Sequence, residues 1–130
     1  IDENNDSIYK IDESTNEINE PLKIKFQKEP VEKDRPIPAN KNVAYLDFEK
    51  LSFPLIIRKY REGDKFYPLG MKGKKKLSDF FIDEKIPLPE KRNVWLLTSG
   101  EDIVWIINYR IDDRFKISEE TTRALVVSLI

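Results

Sequence analysis

The sequence predicts an α+β fold, mostly strands with one main helix, and three stretches carry that expectation. Residues 21–29, PLKIKFQKE, alternate Leu22, Ile24 and Phe26 with Lys23, Lys25 and Gln27, the period of a strand with one buried face. Residues 93–111, NVWLLTSGEDIVWIINYRI, form two apolar runs around Ser99-Gly100 and read as a β-hairpin. Between these, Leu77, Phe80, Phe81 and Glu84 mark the i, i+3, i+4 spacing of a helix over roughly 76–85.

The remaining elements follow in chain order. Residues 1–20 are polar and rich in Asn, Asp and Glu, with one apolar patch at Ile8, Tyr9 and Ile11. We read them as a linker or ragged domain edge with room for one short strand, the domain proper spanning 21–130. PVEKDRPIPAN (30–40) has three prolines and no periodicity, so it is a connection. NVAYLDF (42–48) and FPLIIRKY (53–60) are β-branched and aromatic strand candidates, with Pro54 at the start of the second, where a missing donor does least harm. A long loop containing Gly63, Pro68, Gly70 and Gly73 leads into the helix, which Pro87 and Pro89 end. Residues 112–123 are a turn-rich connection, and ALVVSLI (124–130) is a closing buried strand. Their spacing predicts that Leu55, Ile57, Phe66, Leu77, Phe80, Phe81, Trp95, Leu97, Val104, Ile106 and Val127 share one core.

Composition narrows the chemistry. With 130 residues, 39% hydrophobic and 36% charged, the chain is long enough for one domain with a real core. It has no cysteine and no histidine, which removes disulfides, thiolate chemistry, the commonest general base and the commonest transition-metal ligand. No apolar run is long enough to span a membrane, and the acidic beginning has the wrong polarity for a targeting segment. The only methionine is Met71 and the chain opens on Ile1, so we expect a piece of a longer protein.

Familiar catalytic patterns do not fit. Gly70 and Gly73 are too close, and Lys74 precedes another lysine, for the G-x-x-x-x-G-K-[ST] loop that cradles nucleotide phosphates. The carboxylate pairs Asp83-Glu84, Glu101-Asp102, Asp112-Asp113 and Glu119-Glu120 are sequence neighbours that point apart, and read as turns and solvated surface. Ser78 and Thr121 lack a histidine to activate them. Trp95 and Trp105, on opposite hairpin arms, read as core or cross-strand residues. No catalytic or metal-ligating residue is assigned.

Charge segregation is more informative than the net charge of −1. Residues 1–20 hold seven carboxylates against Lys10 alone, whereas residues 58–76 hold eight basic side chains against Glu62 and Asp64. Lys74, Lys75 and Lys76 crowd the predicted helix start, where each positive charge costs from a few tenths to about 1 kcal/mol. A phosphate docked there would reverse the sign, and Arg58, Arg61, Lys65 and Lys72 would extend the contact along a phosphodiester backbone. The other reading is a hydrated loop whose lysines keep an edge soluble.

The segment LIIRKYREGDKFYPLGMKGKKKLSDFFIDEKIP (55–87) also resembles a known family signature. An I-R strand, a G-D-[RK]-F turn, P-x-G, G-x-K-K-L and a D-F-[LF] helix occur in order, and IVWIINYRIDDRF (103–115) is similar to the family's later R-I-D-x-R-[FY] segment. The family is the C-terminal domain of tRNA(Ile)-lysidine synthetase, and the similarity is best over 53–130. The resemblance implies a β-rich layered domain, a β-sandwich of unusual topology akin to one in the phenylalanyl-tRNA synthetase β subunit. It implies a cytoplasmic, bacterial parent, an ATP-dependent carbon–nitrogen ligase that attaches lysine to the wobble cytidine of tRNA(Ile). ATP with magnesium would then sit in the parent's N-terminal domain, leaving this part without cofactor or catalysis. It would help hold the tRNA acceptor stem. Matched onto this chain, the resemblance adds Arg110 to Arg58, Arg61, Lys65, Lys72, Lys74, Lys75 and Lys76 as expected RNA contacts. It makes Gly63, Asp64, Phe66, Gly70, Leu77 and Phe80 motif residues with structural roles, and puts Asn108 where glycine is frequent. The alternative is a domain that docks on the rest of the parent enzyme, or on a second copy as a homodimer, without touching RNA.

Overall fold

A computed structural model describes residues 7–130. The first strands are β1 (Ile8–Ile11), β2 (Glu17–Ile18), β3 (Ile24–Pro30), β4 (Val43–Asp47) and β5 (Leu55–Lys59). A two-stranded ribbon, β6 (Lys65–Phe66) and β7 (Lys75–Lys76), runs into helix α1 (Leu77–Asp83). A one-turn helix α2 (Leu88–Lys91) precedes β8 (Trp95–Ser99), β9 (Asp102–Ile106), β10 (Arg110–Ile111) and β11 (Arg123–Leu129). The α+β, strand-dominated architecture with one main helix is therefore as expected.

Two antiparallel sheets organise the chain. One has the order β1-β5-β8-β9-β10 and the other β2-β3-β11-β4. The closing strand β11 is central in the second sheet, with Val127 opposite Phe26 on one side and Ala44 on the other. Residues 8–18, read above as a linker or ragged edge with room for one short strand, contain two edge strands, β1 and β2. Ile11 pairs with Leu55 and is buried in the core, and β2 continues the edge of the second sheet at β3. The same expectation for residues 1–6 lies outside the described residues.

The predicted single core is two. Between the sheets, Ile24, Phe26, Leu46 and Val127 meet Leu55, Ile57, Leu97, Val104 and Trp105. On the other face of the first sheet, Leu96, Ile103 and Ile106 pack against Phe66, Leu77, Phe80 and Phe81. A sheet covered on both faces needs apolar residues at every position, which is why β8 and β9 read as continuous hydrophobic runs. A β-bulge adjusts the alternation: the register shifts at Leu97/Thr98, and consecutive Val104 and Trp105 face the same core. Trp105 is thus a central core residue, whereas Trp95 is half-buried at the edge, its ring edge-on to Tyr9.

Helix α1 has seven residues, too few to persist alone. Burying Leu77, Phe80 and Phe81 at about 1.5–3 kcal/mol each supplies what propensity cannot. The helix ends at Asp83, earlier than predicted, and Pro87 caps the short α2 with Pro89 inside its first turn, so the prolines separate two helical pieces. Thr121, considered above as a hydroxyl nucleophile, is buried and donates to Asp47 Oδ2 at 2.9 Å, tying the last connection to β4. Phe81→Ala should destabilise the domain by about 3–5 kcal/mol. A denaturant titration that finds less than about 1 kcal/mol would contradict the burial of this helix face.

Candidate nucleic-acid interface

The basic loop between β5 and α1 is tied down by two carboxylates. Asp64 accepts from Arg58 Nη2 at 2.9 Å and Nη1 at 3.0 Å, and from the backbone N–H of Arg61 at 2.7 Å. Arg58 also donates to the Lys59 carbonyl, and its side chain is only 12% exposed. This bidentate pair holds the turn whose Gly63 has φ +91°, a conformation that a side chain would strain. Arg58, expected as a phosphate contact, is instead held inside the fold as the partner of Asp64.

The second tie is Asp112, which is fully buried. Its carboxylate accepts from the Tyr67 N–H at 3.0 Å, the Arg114 N–H at 2.8 Å, and Arg114 Nε and Nη2 at 3.0 Å each. The Asp113 N–H donates to the Tyr67 carbonyl and the Leu69 N–H to the Ile111 carbonyl. Asp113 is not a bare surface carboxylate either: it accepts from the Gly70 N–H at 3.3 Å. That hydrogen bond, helped by Lys116 and opposed by burial, holds its carboxyl below the usual carboxylate range. Hydrogen bonding and the charge of Asp112 push the Arg114 guanidinium up, with burial opposing. The P-x-G turn and the R-I-D-x-R-F segment, far apart in sequence, are thereby one construction. The reading of Asp112-Asp113 as solvated turn residues is corrected: one carboxylate is a buried clamp and the other a partly buried acceptor.

On this frame the ribbon β6–β7 sorts its side chains by face. Phe66 points into the core opposite Lys75, whose ammonium pairs with Asp83 at the far end of α1. Lys65 and Lys76 are directly opposite each other, and both are exposed. Like charges facing across strands repel, so this pair is an unfavourable local choice for the ribbon on its own. Lys74 lies over the Tyr67 ring, 5.8 Å from its centroid, and the Arg114 guanidinium is 4.3 Å from the same ring.

The expected contacts divide accordingly. Arg61, Lys65, Lys72, Lys74 and Lys76 are exposed, with no salt-bridge partner among the described residues. Arg58, Lys75 and Arg110 are engaged, Arg110 with Glu84 at 3.4 Å and over the Phe80 ring. Sequence reasoning missed Tyr67 and Arg114, although Asp112-x-Arg114 beside a core Phe115 was a signal of a two-residue clamp. The helix start also proves less available than expected. Its first amide, Leu77 N–H, donates to the Asp64 carbonyl at 2.9 Å, so the fold itself supplies part of the negative partner there. Asn108 adopts φ +75°, so it takes the left-handed turn that glycine would.

Comparison with known proteins bears on the family and the fold. A family model described as the TilS substrate C-terminal domain matches residues 55–128. A tRNA(Ile)-lysidine synthase of Parabacteroides distasonis is 51% identical over 111 residues, which is 85% of this chain and 25% of that protein. One from Bacteroides thetaiotaomicron is 42% identical over 94 residues, 72% of this chain and 22% of that protein. The chain therefore spans about a quarter of the length of these relatives. The crystal structure of a TilS C-terminal domain superposes with a TM-score of 0.74 at 20% identity, covering 94% of this chain and 95% of that one. An N-terminal fragment of the phenylalanyl-tRNA synthetase β subunit from Pyrococcus horikoshii gives 0.53 at 18% identity, over 65% of this chain and 27% of that one. Both structural likenesses concern the fold.

If Asp112 is the clamp, Asp112→Ala should destabilise the domain by about 2–4 kcal/mol, since it strands the Tyr67 N–H and unpairs Arg114. The partial exposure of Arg114 keeps the cost below that of a fully buried pair. Chemical denaturation would measure it, and a loss under about 0.5 kcal/mol would contradict the clamp. Asp113, with a lowered folded-state value, adds stability that is present above its unfolded pKa and lost as pH falls through the folded one. Asp113→Asn should therefore lower stability at neutral pH, leave it nearly unchanged below the folded pKa of Asp113, and so flatten the acid limb of the stability curve; an unaltered acid limb would contradict this.

Proposed function

Because the chain belongs to the TilS substrate C-terminal domain family, we propose that it is the non-catalytic tRNA-binding domain of a tRNA(Ile)-lysidine synthase. In this reading it grips the acceptor stem of tRNA(Ile) while another part of the parent attaches lysine to the wobble cytidine. The observation that carries it is the ribbon's outer face, where Lys65 and Lys76 oppose each other and Lys74 stands beside them. Their mutual repulsion becomes an asset once a phosphate lies between them. Such contacts sense backbone charge and A-form shape and do not discriminate bases. Arg61 and Lys72 would widen the track at either end of the loop.

We read ATP and magnesium as belonging to the parent enzyme and not to this chain. No segment has the phosphate-loop pattern, and among the described residues no three His, Cys, Asp or Glu side chains are grouped to hold a metal. On this reading both bind in the part of the parent outside this chain, which works in the cytoplasm. No helix of the described residues is long and apolar enough to cross a membrane.

Two outcomes test the proposal. The purified chain, given ATP, lysine and tRNA(Ile), should release no pyrophosphate; sustained release above background would refute the non-catalytic assignment. Binding of tRNA should weaken steeply with salt, and replacing one contacting lysine among Lys65, Lys74 and Lys76 by alanine should lower the logarithmic slope by about 1. The triple variant should lower it by about 2–3, with an unchanged thermal midpoint as the folding control. An unaltered slope in the folded triple variant would favour a domain that docks on the enzyme body or a second copy.

A further inference from the structure

A cleft of about 560 Å³ borders the basic loop at Leu69. Its walls are Ile37, Tyr45, Leu69, Tyr109 and Ile111, from the proline-rich connection, β4, the P-x-G loop and the turn into β10. Ile37 is 46% and Leu69 40% exposed, so both present apolar surface at the cleft. The charged residues that line the cleft are all basic. Lys41, Arg110 and Lys116 line it, and no Asp or Glu does among the described residues. Arg110 and Lys116 each touch a carboxylate set back from the lining, Glu84 at 3.4 Å and Asp113 at 3.2 Å, and Lys41 touches none among the described residues.

An apolar slot edged only by cations suits a flat aromatic group that carries negative charge. We propose that this cleft holds one or two unpaired nucleotides of the RNA whose double-stranded backbone the lysine ribbon grips. This inference rests on the RNA-binding reading above. Three observations favour a nucleotide over an apolar protein segment. The cleft is continuous with the basic loop through Leu69, which precedes Gly70 and Lys72 in the chain, and through Arg110, whose guanidinium reaches the Met71 sulfur at 3.6 Å. Tyr45 and Tyr109 are aromatic residues of the lining, the side-chain type on which any base can stack, with Tyr109 also packed against the second core. The cations at the rim complement a phosphodiester. Burial, with Glu90 and Glu84, pushes the Tyr109 hydroxyl up from its ordinary value, so it remains a neutral donor beside an anionic strand.

The test compares two RNA probes on this chain: a blunt duplex, and the same duplex with a short single-stranded 3′ tail. The tail should raise affinity about tenfold, within the range for stacking one base on an aromatic ring. Leu69→Ser, Ile37→Ser and Lys41→Gln, all at exposed positions, should remove that gain while leaving blunt-duplex affinity unchanged. Lys65, Lys74 and Lys76 replaced by alanine should weaken both probes. Equal affinity for the two probes would overturn the cleft assignment and leave the duplex reading standing. A tail effect that survives all three cleft variants would overturn it too. Binding of neither probe would refute both readings. Sedimentation provides the remaining outcome: a dimer that Leu69→Ser converts to monomer would make a second copy the occupant and overturn the nucleotide.

Discussion

Everything at the basic surface depends on Asp112. A fully buried carboxylate is costly unless its oxygens are occupied, and here four N–H donors from Tyr67 and Arg114 occupy them. That saturation joins the loop after β6 to the segment after β10 and gives a glycine-punctuated stretch one conformation. Asp64 does the same at the other end through Arg58. Between the two ties the chain forms a ribbon of two residues per strand, too small to be stable on its own. The core beneath it, where Phe66 packs edge-on against Phe80, holds the ribbon down.

The same arrangement divides the cations. Arg58, Arg110 and Arg114 do the internal work, in keeping with the planar fork that fits a carboxylate with two hydrogen bonds, whereas Arg61 is exposed. Arg58 and Arg114 are bidentate partners of Asp64 and Asp112, and Arg110 reaches Glu84. Lysines mostly face outward, where a hydrated point charge on a flexible stem suits contact with a mobile phosphate. Lys75 is the exception, turned inward by the pleat and paired with Asp83. A sequence that is nearly neutral overall can thus present a local positive surface, because its acidic residues lie elsewhere: on caps, on clamps, on β2 and on its connection to β1.

Much of the fold was legible because period-2 patterns and turn residues dominate it. The strands at 24–30, 43–47 and 55–59, the tryptophan hairpin, the closing strand and the helix all follow from such signals. What was not legible has physical causes. β8 and β9 are apolar on both faces, so no alternation could show that Leu96 and Leu97 enter different cores, or that a bulge turns Val104 and Trp105 the same way. β1 and β2 are short edge strands in a polar context, their pairing set by partners far along the chain. The basic stretch was visible as composition, but which cations are internal depends on carboxylates arriving from three places: Asp64, the pair Asp83 and Glu84, and Asp112. The cleft left no trace, because its walls come from segments that look like ordinary connections.

The central claim is that the outward-facing lysines of the ribbon, and not the inward-facing cations, meet the RNA backbone. Lysine footprinting addresses it directly: the chain is acetylated at limiting reagent with and without tRNA(Ile), and modification at each lysine is read by mass spectrometry. Lys65, Lys74 and Lys76 should be strongly protected by tRNA, with Lys75 and Lys28, each paired with a carboxylate in the free chain, little changed. Protection spread evenly over the surface, or absent from the ribbon while the tRNA is bound, would contradict the account.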